Sequence, residues 1–227
     1  MRIPSSRVGE STPPLASWSS LIPGLARDSA SKSRVIRLRL HPLITVPVFR
    51  TPSEGAPVAD LPTYAYGLLR TWVPIIDARP GWALVLLPCL PDGSVGWVRL
   101  DDRVVIVAQP THIEIHTRRR TVALVNGPER RVWPAGVGRP ASPTPRGRTF
   151  VLGSVDIADG LVDRAILLAA HMPTHLLHGT GLPAVGIHAW PGTVFGLAGS
   201  DGCVLVPDLA LTDLEDAAPP GTTVLIH

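Results

Sequence analysis

Only two cysteines occur in this chain of 227 residues, and one, Cys203, stands in the turn-like run Gly199-Ser200-Asp201-Gly202-Cys203-Val204. Shortly upstream, a histidine closes the apolar run Ala184-Val185-Gly186-Ile187-His188. A thiol with a pKa of about 8.5 is only a few per cent thiolate at neutral pH, so it becomes a nucleophile when an imidazole takes its proton. His188 would be that base, and afterwards the acid that returns the proton to a leaving amine. Gly202 before the nucleophile tolerates an unusual turn, and small neighbours let backbone N–H groups approach a tetrahedral oxyanion. Ser200, Asp201 and Gly202 are therefore expected to shape the turn, serve the oxyanion and orient the substrate. Taken singly, a free cysteine and a strand histidine are more often core residues. The two motifs together point to covalent acyl transfer.

Such a pair needs a rigid frame. The 25 prolines are about twice the average usage, and with 21 glycines they break helices and punctuate strands. A mainly β chain is expected. Hydrophobic residues at 45% against 17% charged describe a globular protein. The formal net charge of +3 suits anionic surroundings but is too mild to require nucleic acid, and no nucleic-acid partner is expected. Arg118-Arg119-Arg120 and Arg130-Arg131 read as solvated hairpin ends. No run approaches the roughly 18 apolar residues of a transmembrane helix, and Met1-Arg2-Ile3-Pro4-Ser5-Ser6 does not open a recognisable signal peptide. Cys89 and Cys203 fall in different halves and are read as free thiols.

Residues 1–33, rich in Ser, Pro, Gly and Ala, read as a flexible leader. Residues 34–108 show short apolar runs between turns, including Val46-Pro47-Val48-Phe49, Gly81-Trp82-Ala83-Leu84-Val85-Leu86 and Gly96-Trp97-Val98, with Pro91-Asp92-Gly93-Ser94 as a tight turn. Trp82 and Trp97 are expected to pack rather than to stack on a ligand. Residues 109–227 form the second domain. There Ile113-Glu114-Ile115-His116 and Arg120-Thr121-Val122-Ala123-Leu124-Val125 alternate, and Asn126-Gly127 signals a hairpin. Residues 165–170 fit either a short helix or a buried strand. His171, His175 and His178 cluster in sequence, but Pro173 breaks any helix that would align them. No metal and no cofactor are assigned, and a groove-lining role is read for His171 or His175.

Three segments in order, Ser142-Pro143-Thr144-Pro145-Arg146-Gly147-Arg148-Thr149-Phe150, then Ala184 to His188, then Gly199 to Val204, resemble the L,D-transpeptidases with a YkuD-type catalytic domain. The closing Gly221-Thr222-Thr223-Val224-Leu225-Ile226 is similar to that family's final strand. Residues 34–108 resemble a bacterial SH3-like module. The resemblance implies a small SH3-like β-barrel followed by a YkuD-type β-sandwich. It implies a peptidoglycan L,D-transpeptidase that forms a cysteine acyl-enzyme on a tetrapeptide stem, releases D-alanine and passes the acyl group to a second stem. Cys203 and His188 would be catalytic, peptidoglycan stem peptides the partners, and the cell envelope, outside the cytoplasm, the location. A second reading rests on Asp201 and Leu205, where the family more often has His and a polar residue: a wall-binding protein with impaired turnover. A cysteine endopeptidase of the NlpC/P60 type would need its cysteine ahead of its histidine, the reverse of the order here. Oligomeric state is not encoded in any of these motifs.

Overall fold

The computed structural model describes residues 12–29, 35–53, 55–157, 162–172, 183–190 and 195–227. The architecture is mainly β, as composition implies. In the N-terminal half, a barrel-like sheet runs in the order Val104–Ala108, Leu38–Pro42, Val73–Arg79, Trp82–Leu86, Ser94–Arg99, Val46–Phe49, Ala59–Leu61. The short Ala26–Arg27 strand adds to Ser94–Arg99. Alternation puts Leu40, Val48, Leu61, Val73, Ile75, Val85 and Val98 in its core. Trp97 is buried, and Trp82 sits edge-on to Phe49 with centroids 5.3 Å apart. Both pack.

Residues 12–29 differ from a leader. Ala16, Trp18, Ile22 and Leu25 are buried in the barrel core. The Ala16, Trp18 and Ile22 N–H groups donate to the carbonyls of Asp60, Ala65 and Leu90 at 2.7, 2.9 and 2.9 Å. The segment is an irregular strap. Its apolar residues follow neither the helix nor the strand period, which is why periodicity does not reveal it.

The C-terminal half is a second sheet in the order Glu129–Pro134, Thr121–Asn126, Thr111–His116, Thr223–Ile226, Gly147–Asp156, Arg164–His171, Ala184–Ala189, Val204–Val206. The Asn126-Gly127 hairpin forms as expected, with Asn126 opposite Glu129. Residues 165–170 take the strand alternative, within Arg164–His171. The Gly147–Asp156 strand belongs to both layers of the sandwich. Residues 147–150 pair with Thr223–Ile226, and residues 151–156 pair with Arg164–His171 beyond a bulge. Its Phe150 and Leu152 enter the core of the N-terminal half.

The helix Asp208–Ala217 has no counterpart in the sequence reading, because a ten-residue segment between Pro207 and Pro219 offers too few turns for a clear period. It buries Ala210, Leu211 and Leu214 in one core with Ile187, Val204 and Val206, and so backs the two strands that carry the candidate motifs. Arg164 pairs with Glu215 at 3.1 Å and Arg131 with Asp213 at 2.8 Å, fixing the helix against the sheet.

Candidate active site

The Ala184–Ala189 and Val204–Val206 strands run parallel, with Ile187 opposite Val204 and His188 opposite Leu205. That register brings Cys203, one residue before Val204, level with Gly186. The Gly186 N–H donates to Cys203 Sγ at 3.4 Å. A Cβ built on Gly186 would lie 3.7 Å from Cys203 Sγ and 3.7 Å from His188 Cδ2. Thiol and imidazole thus flank the same side-chain-free position. Since residues i and i+2 of a strand share a face, the Gly-x-His spacing supplies both the gap and the ring that borders it.

His188 is buried, and its Nδ1 donates to the Ala189 carbonyl at 2.8 Å. A carbonyl only accepts, so this bond places the neutral ring's proton on Nδ1 and makes Nε2 the basic atom. The Trp190 ring lies edge-on to His188, with centroids 5.9 Å apart. Burial pushes the Cys203 thiol above its ordinary pKa, the Gly186 N–H pulls it back, and the Asp201 carboxylate adds to the rise. A thiol so placed ionises readily only when a base takes its proton. Both cysteines are free, and Cys89 is buried, its pKa pushed up to about 12 by burial and by Asp92.

The turn before Cys203 is held from two sides. Ser200 Oγ donates to the Cys203 carbonyl at 2.6 Å and accepts the Gly202 N–H at 3.2 Å. Gly202 has φ +116°, a conformation that excludes ordinary side chains. Asp201 pairs with the Arg139 guanidinium, both about half exposed. From the neighbouring loop, Ser142 Oγ donates to the Asp201 carbonyl at 2.8 Å and Thr144 Oγ1 to the Gly202 carbonyl at 2.9 Å. Thr144 Oγ1 also accepts the Gly138 N–H at 2.9 Å. Any Cβ on Gly138 would run into the backbone of Ser142 and Thr144.

A cavity of about 380 Å³ opens over Cys203 and His188, bordered by Trp190, Leu197, Ser200 and Leu205. Leu205 is anchored by two backbone hydrogen bonds with Gly136, at 2.8 and 2.9 Å, and gives the cavity an apolar wall. A second concavity of about 400 Å³, lined by His116, Arg118, Arg119, Arg146 and His227, contains no nucleophile. Among the described residues, Glu114, His116 and His227 gather ligand atoms within 4.8 Å. Glu114, however, accepts from Arg130 at 2.7 Å, so this cluster already serves as a charge network.

All five residues singled out in the sequence, His188, Ser200, Asp201, Gly202 and Cys203, come together around this cavity or its turn. His171 lies at a different place, against the N-terminal half, and His175 and His178 fall outside the described residues. Sequence reading missed the roles of Ser142, Thr144, Arg139, Trp190 and Leu197. A faint signal existed for the first two, since hydroxyl residues alternating with prolines cannot join a sheet ladder and must find partners elsewhere.

A β-sandwich carrying a thiol and an imidazole about one glycine is a frame suited to acyl transfer through sulfur. Residues 110–226 match the family model of YkuD, the L,D-transpeptidase catalytic domain, and the chain belongs to that family. Among solved structures, it is similar to an L,D-transpeptidase from Mycobacterium tuberculosis H37Rv at 16% identity, covering 82% of this chain and 99% of that one, with a TM-score of 0.46. It is also similar to an L,D-transpeptidase from Mycobacterium smegmatis at 14% identity, covering 98% and 97%, with a TM-score of 0.44. L,D-transpeptidase 3 from Mycobacterium tuberculosis in complex with a faropenem-derived adduct matches at 19% identity, covering 60% and 75%, with a TM-score of 0.42. A search of curated proteins gives no match.

Proposed function

We propose that this protein is a peptidoglycan L,D-transpeptidase that works through a Cys203 thioester, in the cell envelope outside the cytoplasm. The observation that carries the reading is the placement of Cys203 Sγ and the His188 ring on either side of Gly186, beneath the cavity, in a YkuD-family domain. His188 Nε2 takes the thiol proton as sulfur attacks the carbonyl between the diamino acid and the terminal D-alanine of a tetrapeptide stem. The C–N bond breaks, the imidazolium returns the proton to the departing D-alanine amine, and the acyl group remains on sulfur. An amine of a second stem then attacks the thioester, loses a proton through His188, and the thiol is restored.

Peptide planarity supports the oxyanion role of the turn. The Thr144 hydroxyl that holds the Gly202 carbonyl also fixes the plane of the amide whose N–H belongs to Cys203, while the Gly202 N–H is taken up by Ser200 Oγ. The Asp201–Arg139 pair presents charges of both signs at the cavity mouth, where a zwitterionic stem would enter. An SH3-like role for residues 34–108 in holding the wall polymer is part of the same proposal. No helix among the described residues is long and apolar enough to cross a membrane.

The test is mass spectrometry after exposure to a carbapenem-type β-lactam, with a tetrapeptide-stem donor assayed in parallel. A stoichiometric adduct on Cys203, lost in Cys203→Ala and kept in Cys89→Ala, is expected. An adduct on Cys89, or none, rejects the proposal. A second reading, wall binding without turnover, rests on Leu205, whose apolar side chain borders the cavity where a polar group would meet a substrate carboxylate. Cross-linked product from the stem donor excludes it.

A further inference from the structure

His171 ends the Arg164–His171 strand and is only 8% exposed, yet both ring nitrogens and its backbone N–H turn toward the N-terminal half. Its Nδ1 lies 2.5 Å from Asp92 Oδ1, its backbone N–H donates to Asp92 Oδ2 at 2.9 Å, and its Nε2 lies 3.0 Å from the Trp18 carbonyl. The ring also stacks on Trp18 with centroids 3.8 Å apart and planes 14° from parallel. Trp18 is pinned by its N–H bond to Ala65 and stands edge-on to Tyr66. One side chain of the catalytic sheet is therefore gripped by the N-terminal strap and by the Pro91–Ser94 turn.

This grip acts where the sheet cannot hold itself. Pairing between Arg164–His171 and Ala184–Ala189 runs as far as Leu167 opposite Gly186, lapses, and resumes at His171 opposite Ala184. The next residue, Met172, donates its N–H to the Pro183 carbonyl at 3.1 Å. Its side chain lies 3.7 Å from where a Cβ on Gly202 would sit, so it walls the turn before Cys203. His171 thereby sets two things: the line of residues 184–186, whose Gly186 N–H reaches Cys203 Sγ, and the position of Met172 under Gly202.

We infer that His171, clamped by Asp92 and Trp18, is a positioning residue through which the N-terminal half aligns Cys203. The inference deepens the transpeptidase proposal by making residues 12–108 part of the machinery that orients the nucleophile. Loss of the clamp lets the 184–186 segment drift and weakens the Gly186 N–H bond to sulfur, which is the contact that lowers the thiol pKa. Among the described residues, the charged and titratable groups that face this thiol are Asp201 and His188.

The test measures alkylation of Cys203 by iodoacetamide as a function of pH in the full chain, with Cys89→Ala as background. Asp92→Ala and His171→Phe are expected to slow alkylation at neutral pH about tenfold and to move its rise to higher pH. The scale is that of a sub-ångström misplacement, given that roughly 1 Å costs about 100-fold. Leu69→Ala is the comparison, because it loosens the same junction at Gly153 without touching the clamp. It should lower the melting temperature and leave the pH profile unchanged. If Asp92→Ala fails to fold, His171→Phe alone decides by the same profile. Profiles like wild type in the clamp variants overturn the inference, as does an equal shift in Leu69→Ala. Alkylation needs no stem peptide, so this result stands apart from the β-lactam test: failure there with a clamp-dependent profile here would reject the transpeptidase reading alone.

Discussion

The Thr144 hydroxyl donates to the Gly202 carbonyl at 2.9 Å, so a side chain from the loop before the Gly147–Asp156 strand holds the peptide bond that leads into Cys203. The same oxygen accepts the Gly138 N–H, and Thr144 is only 4% exposed. Thr144→Val keeps the shape but strips two buried backbone groups of their partner, at about 1–3 kcal/mol of stability. The acylation rate should fall roughly 10–100-fold from misplacement of the turn. Thr144→Ser should retain most of both. Thermal unfolding and single-turnover acylation measure the two effects.

A buried ion pair joins the strap to the catalytic sheet: Arg148 Nε lies 2.9 Å from Asp28 Oδ2, with side chains 2% and 5% exposed. The guanidinium also donates from Nη2 to Asp28 Oδ1 at 3.4 Å, so a hydrogen bond adds to the charge attraction. Burial lowers the Arg148 pKa and Asp28 opposes that. Asp28→Ala leaves a buried guanidinium without its counter-charge and should cost about 3–5 kcal/mol, whereas Asp28→Leu with Arg148→Met should cost far less. Urea unfolding of the single and double variants gives both numbers.

Cys203 reactivity should rise with pH. Its thiol pKa is raised, chiefly by burial and further by Asp201, so the thiolate fraction at neutral pH is below that of an ordinary cysteine and grows as pH approaches the raised value. Asp201→Asn removes the like charge and should move the acylation profile to lower pH. Its stability should change by less than about 1 kcal/mol, because the Arg139–Asp201 pair is solvent-exposed. Stopped-flow acylation across pH 6–10 would show the shift, and an unmoved profile would remove Asp201 from the electrostatics of the thiol.

Cys89 makes a stability prediction of the opposite pH sense from a paired carboxylate. Its folded pKa of about 12 exceeds the ordinary 9.0, so the native state favours the neutral thiol. That contribution is complete below pH 9 and is lost as pH climbs toward 12. Cys89→Ala should therefore lose less stability between neutral pH and pH 11 than wild type does. Melting temperatures at pH 7, 9, 10 and 11 check the difference, which is expected on the order of 1–3 kcal/mol by the roughly 1.4 kcal/mol per pH unit of linkage.

What could be read from the sequence was local. Gly186, His188, Gly202 and Cys203 announce themselves because a gap, a base, a turn and a thiol each demand a residue type at short spacing. Asn126-Gly127 did the same for its hairpin. Residues 165–170 remained ambiguous because a short apolar run lacks a period, and neighbouring strands resolved it. The Trp18–His171 stack joins residues far apart in the chain and leaves no pattern in either segment. Ser142 and Thr144 were visible as family-like residues, yet their duty depends on where the 200–203 turn lands, which only the fold decides. The strap of residues 12–29 was hidden for a related reason: Ala16, Trp18 and Ile22 are apolar without being periodic.

The Gly147–Asp156 strand places Phe150 and Leu152 among the barrel's own core residues, together with Ala169 from its neighbour. Cut near residue 109, the catalytic half would turn these side chains out to water and leave Arg148 without Asp28. The molecule has two hydrophobic cores, and the Gly147–Asp156 and Arg164–His171 strands contribute side chains to both. Heat or urea should therefore melt it in a single cooperative transition, and a fragment freed of its N-terminal half would be sticky and short-lived.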